Sequence, residues 1–473
     1  MRALRGLLIV DALAIAASAT ISDQIVADVL LLPALLIGVL LAIASLSGEL
    51  VRPRRRIAVV CSALTIVAPF PFLLLGGWPG TVLAATAIIA LQLIPLVVRD
   101  RVSSEAAVST GGPRRLLAAL MLSTMLLLIT VVALVWYGST YLLQAPTSAF
   151  TRSPYLTRVT LTEADFAWKL KGGSNAVDVA LLAPDGSGVH ASTGRFRNLR
   201  PGTRYTWTAN IDGHSAAAGA FSTAPATNSV PITLVSFGDY GSGSPHEYAV
   251  GRLAAATGPS LFLSSGDNAY LVAAPPLLDR AIFDPLRGLL GEAPMVAALG
   301  EHDLAWNNGS AVIGALHLPG HHYTVQYGPV QVVVLGLQAD SSGLAYATRM
   351  LGRCSRPCPV RFVLTHRVIE AANPIMPLLR SRHVAAALAS HLHRYERHVR
   401  AGVLEFTVGT GGEGPGGAAF TRRTPDALFS SLAYGFLRIS IAGRGVRYAF
   451  VDERGRVLDG VSQRIGGAAC PCP

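Results

Sequence analysis

The sequence predicts a multidomain protein in which an α-helical transmembrane bundle precedes a β-sandwich and then an α/β sandwich. Hydrophobic residues make up 51% of its 473 residues and charged residues only 14%, and the long apolar runs lie in residues 1–145. This composition is too apolar for a chain that is wholly surrounded by water. By contrast, all 12 histidines lie from His190 onward. A membrane part therefore precedes a part that faces water.

The predicted transmembrane region, residues 1–145, has four or five helices. A spanning helix needs about 20 apolar residues, and four of the runs satisfy that requirement. The first run is short and carries Asp11, so it either spans or begins a cleaved signal peptide. The runs are Gly6–Ile21, Val26–Leu46, Ile57–Leu75, Thr81–Val98 and Leu116–Leu143.

Arginine predicts the orientation of these helices. Residues 51–56 and 99–115 each contain four arginines, whereas residues 22–24 and 76–80 contain no Lys or Arg. Because positively charged loops stay in the cytoplasm, the last span leads outward. We therefore expect a multi-pass protein of the plasma membrane, with the lipid bilayer as a partner and residues 146–473 outside the cytoplasm.

Transport by the spans is a less favoured alternative, in which the outer part would be an appended sensor. The apolar runs contain only Asp11 and Asp28 as acidic residues, which is little for an ion pathway. Anchoring is the simpler role for this region.

Charge and cysteine content narrow the function of the outer part. The net charge is +11, but many arginines flank the apolar runs and no basic run is interleaved with aromatics, which argues against nucleic-acid binding. Four cysteines lie in the outer part, where disulfides persist. Their pairing is open, and a zinc site is a less favoured alternative because neither close pair has C-x-x-C spacing. These residues are Cys354, Cys358, Cys470 and Cys472.

Residues 150–225 are predicted to form a small β-sandwich that acts as a spacer. Val159–Thr162, Phe166–Leu170 and Tyr205–Ala209 alternate apolar and polar residues. Turn signals rich in Gly, Pro and Ser separate these segments. The motifs that carry chemistry lie beyond this region.

Six motifs in residues 230–465 contain Asp, Glu, His and Tyr, which are ligands for hard and borderline cations. Most follow short apolar runs, which predict buried strands in an α/β fold, and ligands gather beyond the carboxyl ends of such strands. The tail, residues 466–473, is predicted to be irregular. The motifs are Gly238-Asp239, Gly266–Tyr270, Gly300–Asp303, Thr365-His366, Ser390–His393 and Gly409–Gly414.

The set of motifs resembles the purple acid phosphatases within the calcineurin-like metallophosphoesterase superfamily. Ser390–Arg397 is similar to that family's Gly-His-x-His-x-Tyr-Glu-Arg, and Gly266–Tyr270 is similar to its Gly-Asp-x-x-Tyr. Most superfamily members have Asp-x-His where this chain has Asp239-Tyr240-Gly241, and Tyr270 is available in place of that histidine. The resemblance covers about residues 150–465 and includes a fibronectin type III-like module.

The resemblance implies two metal ions and a phosphate-ester substrate. Metal one would be Fe(III), metal two would be divalent Fe, Zn or Mn, and hydroxide on the metals would attack the ester. His302, paired with Asp303, would bind a phosphoryl oxygen or the leaving group. The implied ligands are Asp239, Tyr270 and His393 for metal one, Glu301, His366 and His391 for metal two, and Asp267 as the bridge.

Glu301 departs from the family, which has Asn at this position. Its extra negative charge is expected to weaken phosphate binding and to alter metal preference. The residue that protonates the leaving group is left open, with His383 and His398 as candidates.

The alternative function is a catalytically weak or inactive membrane protein that acts as a binding or sensor module. Because every ligand position holds a residue that can bind metal, an enzyme is favoured.

Overall fold

The computed structural model describes residues 149–171, 176–227, 229–270, 272–353, 359–414 and 422–465, which belong to one compact unit. The predicted membrane runs, the five cysteines and the irregular tail lie outside these ranges. Among the helices of the described ranges, none combines the length and the apolar character needed to cross a bilayer.

Residues 150–222 form two facing antiparallel sheets, one in the order β1-β2-β5 and one in the order β4-β3-β6-β7. Their inner faces share a core that includes Phe166, Trp207 and Phe221. At the start of β6, the Tyr205 hydroxyl accepts a hydrogen bond from the Arg200 backbone, a tyrosine corner like those of immunoglobulin-type sandwiches. The strands are β1 Phe150–Val159, β2 Ala164–Leu170, β3 Val177–Leu182, β4 Gly188–Ala191, β5 Arg195–Phe196, β6 Arg204–Ile211 and β7 His214–Ser222.

The remaining strands form a mixed six-stranded sheet, β10-β9-β8-β18-β19-β20, and a mixed seven-stranded sheet, β11-β12-β13-β14-β16-β15-β17. Strands β8, β9 and β10 run parallel in the first sheet, as do β12, β13, β14 and β16 in the second. Their bounds are β8 Ile232–Phe237, β9 Leu261–Ser264, β10 Met295–Ala297, β11 Tyr323–Tyr327, β12 Val330–Val334, β13 Val360–Leu364, β14 Val384–Ala389, β15 Tyr395–Arg400, β16 Val403–Val408, β17 Phe429–Ser431, β18 Gly435–Ala442, β19 Gly445–Asp452 and β20 Val457–Arg464.

The two mixed sheets pack face to face through aromatic side chains. The rings of Tyr395 and Phe450 stack with centroids 4.1 Å apart, and those of Phe406 and Tyr448 lie 4.8 Å apart. Strands β9, β13 and β14 are fully buried and β8 is buried except at Thr233, which is why their sequences are largely apolar. The packing fixes the distance between the two sheets and therefore between the loops at their ends.

Helices connect the strands and cover the sheets. Helix α1 begins after Ser244, whose hydroxyl accepts from the backbone N–H of Glu247 as an N-cap. A π-helical turn, Asp279–Phe283, and a 3₁₀ turn, Asn307–Gly309, complete the set. The α-helices are α1 Pro245–Ala255, α2 Pro275–Leu278, α3 Arg287–Glu292, α4 Glu301–Leu304, α5 Ser310–Leu316, α6 Ser341–Leu351 and α7 Met376–Ser381.

Two local sequence predictions were wrong. The apolar spacing of residues 277–290 predicts one helix, but the helix is broken after Phe283, because Pro285 has no N–H to donate. The run 159–162 is the end of β1 followed by a turn, in which the Thr160 hydroxyl accepts from the backbone N–H of Glu163. Threonine hydroxyls often compete with strand pairing in this way. The apolar runs that precede most of the motifs do form strands.

Candidate metal centre

All seven sequence-predicted ligands lie at one end of the double sheet. The segments after β8, β9 and β10 carry three carboxylates and the phenol, with Glu301 at the start of α4, and loops after β13 and β14 carry three imidazoles. Because parallel strands of both sheets end at this edge, the first sheet supplies anionic ligands and the second supplies nitrogen ligands. The first group is Asp239, Asp267, Tyr270 and Glu301, and the second is His366, His391 and His393.

Three of these ligands have left-handed backbone conformations. The φ angles are +53° at Asp239, +51° at Asp267 and +67° at His391. Such angles are uncommon for residues other than glycine and are concentrated at functional sites, where surrounding structure holds them in place. The turns re-aim each side chain from the end of its strand toward the centre.

Asp239, Asp267, Tyr270 and His393 form the first half of the centre. The Tyr270 hydroxyl lies 3.3 Å from Asp239 Oδ1, from Asp267 Oδ2 and from His393 Nε2. His393 Nδ1 lies 2.7 Å from the Gly414 carbonyl, so Nδ1 carries the proton and the lone pair of Nε2 faces the centre. Burial lowers the pKa of His393 to about 4, which keeps the ring neutral.

Glu301, His366 and His391 form the second half. Glu301 Oε1 lies 2.7 Å from His391 Nδ1, and Oε2 lies 2.9 Å from His366 Nε2. His366 Nε2 is also 3.4 Å from Asp267 Oδ2, so Asp267 contacts both halves. This contact is the geometry expected of a bridging carboxylate.

The donor atoms fit metal ions better than they fit one another. Asp239 Oδ2, Glu301 Oε2 and His366 Nε2 are buried and have no hydrogen-bond partner within the described ranges. The approach of Glu301 to His366 lacks hydrogen-bond geometry despite its short distance. Asp239, Asp267 and His366 form one group of closely spaced ligand atoms, and Glu301, His366 and His391 form another. A bound cation would satisfy these buried polar atoms, which otherwise lack a partner.

The pKa shifts of the buried side chains also favour a bound cation. Burial raises the pKa of Asp239 well above its usual value. Burial and the charges of Asp239 and Asp267 raise the pKa of Tyr270. Burial alone would lower the pKa of His366, but Asp267 and Glu301 raise it well above normal. Crowded buried anions thus draw positive charge to this point, and a metal ion can supply that charge.

Glycines allow the loops to approach the ligands closely. A Cβ atom at Gly300 would collide with Asp267 Oδ1, and one at Gly409 would collide with Asp239 Oδ2. The Gly-rich motif 409–414 therefore forms one wall of the centre.

Asp303 accepts several hydrogen bonds from the loops around the centre. Its carboxylate accepts hydrogen bonds from the backbone N–H groups of Gly300 and Asn268 and from the Asn268 side-chain amide, over 2.7–3.2 Å. Asn268 in turn accepts from the hydroxyls of Tyr240 and Ser264. Asp303 therefore braces the segments that carry Asp267 and Glu301.

His302 lies beside the first half of the centre. Its ring centroid is 4.4 Å from that of Tyr270, and its backbone N–H donates to Asp267 Oδ1 at 3.0 Å. The side chain is buried. It is therefore the better placed of the two predicted catalytic residues.

The two histidines considered as leaving-group acids lie elsewhere. His398 is fully buried on β15, 3.4 Å from Glu396 and 3.3 Å from Asp426. His383 directly precedes β14, whereas His391 follows the other end of that strand. His398 thus belongs to a buried ionic network, and His383 lies at the other end of the strands, away from the centre.

Sequence reasoning missed three residues around the centre. Glu413 is buried near Asp267 and His302, and burial raises its pKa to about 7. The Ser390 hydroxyl donates to the Ser265 carbonyl and lies 3.0 Å from His366 Nδ1, which orients the ring. Arg367 reaches within 3.7 Å of Glu301. Two features of the sequence could have identified them. Glu413 lies within the motif 409–414, and Arg367 directly follows the predicted ligand His366.

No protein-family model and no curated protein matches the chain. Among solved structures, PhoD is 12% identical with a TM-score of 0.47, covering 69% of this chain and 95% of that chain. GAP50, the anchor in the inner membrane complex of Plasmodium, is 15% identical with a TM-score of 0.41, covering 50% and 89%. YfcE, a phosphoesterase from E. coli, is 13% identical with a TM-score of 0.25, covering 50% and 100%. Likeness at these values assigns no activity to this chain.

A stability measurement tests whether Asp303 braces these loops. Asp303→Ala leaves the N–H donors of Gly300 and Asn268 buried without an acceptor, so we expect it to lower the free energy of unfolding by roughly 2–4 kcal/mol. Urea denaturation followed by circular dichroism measures this. Asp178→Ala, which removes a half-exposed carboxylate, is the control and should cost about 0.5 kcal/mol or less. Wild-type stability in Asp303→Ala would contradict the brace.

Proposed function

We propose that the protein is a metal-dependent phosphoesterase that uses two metal ions to hydrolyse phosphate esters. The observation that carries the proposal is the convergence of seven ligand-type side chains from two sheets, with buried oxygen and nitrogen atoms that lack partners in the described ranges. Ser and Cys nucleophiles are not needed in such a site, because bound cations lower the pKa of water and balance the charge of phosphoryl oxygens.

The donor sets suggest how the ligands divide between the ions. Asp239, Tyr270 and His393 would hold metal one, and Glu301, His366 and His391 would hold metal two. Asp267 would bind both, in keeping with its contacts to Tyr270 and His366. At metal one, a phenol with the two carboxylates of Asp239 and Asp267 favours a hard cation. The purple acid phosphatase resemblance makes Fe(III) at metal one, with divalent Fe, Zn or Mn at metal two, our proposal.

The chain's own groups would orient these ligands and handle protons. Carbonyls of Ser265 and Gly414 hold the Nδ1 atoms of His366 and His393, so each Nε2 faces the centre. His302 would bind a phosphoryl oxygen or the leaving-group oxygen from its position beside Tyr270. Sheets and glycine loops surround the centre closely and keep bulk water from most of it.

We propose further that residues 1–145 anchor this phosphoesterase in the plasma membrane, with residues 146–473 outside the cytoplasm. Support comes from the length of the apolar runs and the arginines that flank them. The seven-stranded sandwich of residues 150–222, with its tyrosine corner, would be a fibronectin type III-like spacer between the membrane and the enzyme.

Metal content and hydrolysis test the proposed function together. The purified wild-type protein should hold two metal ions by elemental analysis and hydrolyse generic phosphate esters. Asp267→Asn should lower the content of both metals, because this residue contacts both halves, and should reduce kcat/KM roughly 100-fold or more. Asp212→Asn, at a matched left-handed position in the sandwich, should behave as wild type. A folded wild-type protein with one ion or none would refute the two-metal site. Two ions without hydrolysis would favour the binding or sensor alternative.

Iron at metal one predicts a visible absorption band from Tyr270. A phenolate bound to Fe(III) transfers charge to the metal, so Tyr270→Phe should remove the band while circular dichroism stays unchanged. Tyr434→Phe, outside the ligand set, should keep it. A colourless protein that is active with Zn or Mn would contradict iron and leave the phosphoesterase proposal intact.

The proposed topology predicts which parts of the chain a protease can reach. Protease added to intact cells or spheroplasts should cleave within residues 150–473, and a reporter fused in residues 99–115 should report a cytoplasmic position. Protection of the catalytic part, with an external reporter signal, would reverse the orientation inferred from the arginines.

A further inference from the structure

Glu301 presents a problem for a phosphoesterase. Its carboxylate joins those of Asp239 and Asp267, which are buried within the same centre. A phosphate ester is an anion and would be repelled by each additional negative charge near its binding position. Beside this carboxylate the structure also places the guanidinium of Arg367.

Arg367 is anchored at its backbone and open at its tip. It follows His366 directly beyond β13, and its N–H donates to the Leu337 carbonyl at 2.8 Å. One terminal guanidinium nitrogen lies 3.7 Å from Glu301 Oε1, which is longer than a hydrogen bond. The Nε atom is buried and has no hydrogen-bond partner within the described residues. With 41% of its side chain exposed, Arg367 lies at the mouth of the centre.

This arrangement differs from a closed salt bridge. Glu301 Oε1 is already 2.7 Å from His391, so the guanidinium does not bind the carboxylate in the bidentate way that an Arg–carboxylate pair prefers. Its planar donors therefore remain available to a second anion at the exposed side. Tetrahedral oxyanions match those donors well, which is why arginine is common in phosphate sites.

We propose that Arg367 binds a phosphoryl oxygen of the substrate and of free phosphate, and offsets the charge of Glu301 at the entrance to the centre. The proposal rests on the proposed function, since it requires a phosphoryl group at the metal centre. It assigns Arg367 to binding rather than to the bond-breaking step. Loss of the residue should therefore affect KM and phosphate inhibition much more than kcat.

Arg367→Ala and Arg367→Lys test this role. With a phosphate monoester as substrate, Arg367→Ala should raise both KM and the inhibition constant of inorganic phosphate roughly tenfold or more, with kcat changed by less than about threefold. Arg367→Lys keeps the charge without the planar fork and should give intermediate constants. Metal content should stay at two ions in both variants. Arg447→Ala is the control, because Arg447 is exposed on β19 and its partner Ser440 pairs with Thr233 near the start of β8, away from the centre.

Fluoride inhibition distinguishes phosphoryl binding from simple charge screening. Fluoride binds metal ions directly and has no oxygens for the guanidinium, so its inhibition constant in Arg367→Ala should change by less than about threefold. Equal losses for fluoride and phosphate would overturn the proposal in favour of screening alone. Wild-type phosphate inhibition in Arg367→Ala would overturn it outright. A wild-type protein that holds no metal and binds no phosphate would overturn the phosphoesterase function itself, and this role with it.

Discussion

The burial of several carboxylates at one point is the constraint on which the rest of the site depends. Asp239 and Asp267 are buried among Glu301 and Tyr270, and burial of like charges is costly unless positive charge offsets it. His366 contacts two of these carboxylates but lacks hydrogen-bond geometry toward Glu301. Left-handed turns, close-approaching glycines and the Asp303 brace all serve to hold this arrangement. A cation at this point, as proposed above, would offset the buried negative charge that these features hold in place.

The two sheets contribute different types of ligand side chain. Carboxylates and the phenol come from the first sheet, and the imidazoles come from the second, so the spacing of the sheets sets the spacing of the donor atoms. Stacked rings of Tyr395 and Phe450 fix that spacing within the core. Because close-packed interiors change position little, the protein itself holds the ligand-type atoms in place. Rigidity of the core thus becomes preorganisation of the site.

Local sequence patterns were enough to place the strand ends but not to assign every side chain. The apolar run before Asp239 is a buried strand, and such a run is readable because it is continuous and ends at a turn. The run 277–290 was misread because apolar spacing does not register the break at Pro285. The roles of Asp303 and Arg367 depend on which residues their side chains contact in the folded protein. Spacing along the chain carries no such information, and only the three-dimensional arrangement separates a loop brace from a ligand of substrate.

We infer that Glu301 and Arg367 act as a coupled pair. A carboxylate at metal two would hold a divalent ion more strongly than a neutral amide, because it adds a full negative charge next to the cation. The same charge would repel phosphate, and a guanidinium at the exposed side of Glu301 would restore the attraction without competing for the metal. Arg367 can do this because its tip reaches the mouth of the centre while His391 occupies Glu301 Oε1. Strong metal retention and phosphate binding are then compatible in one site, although the carboxylate alone would favour only the first.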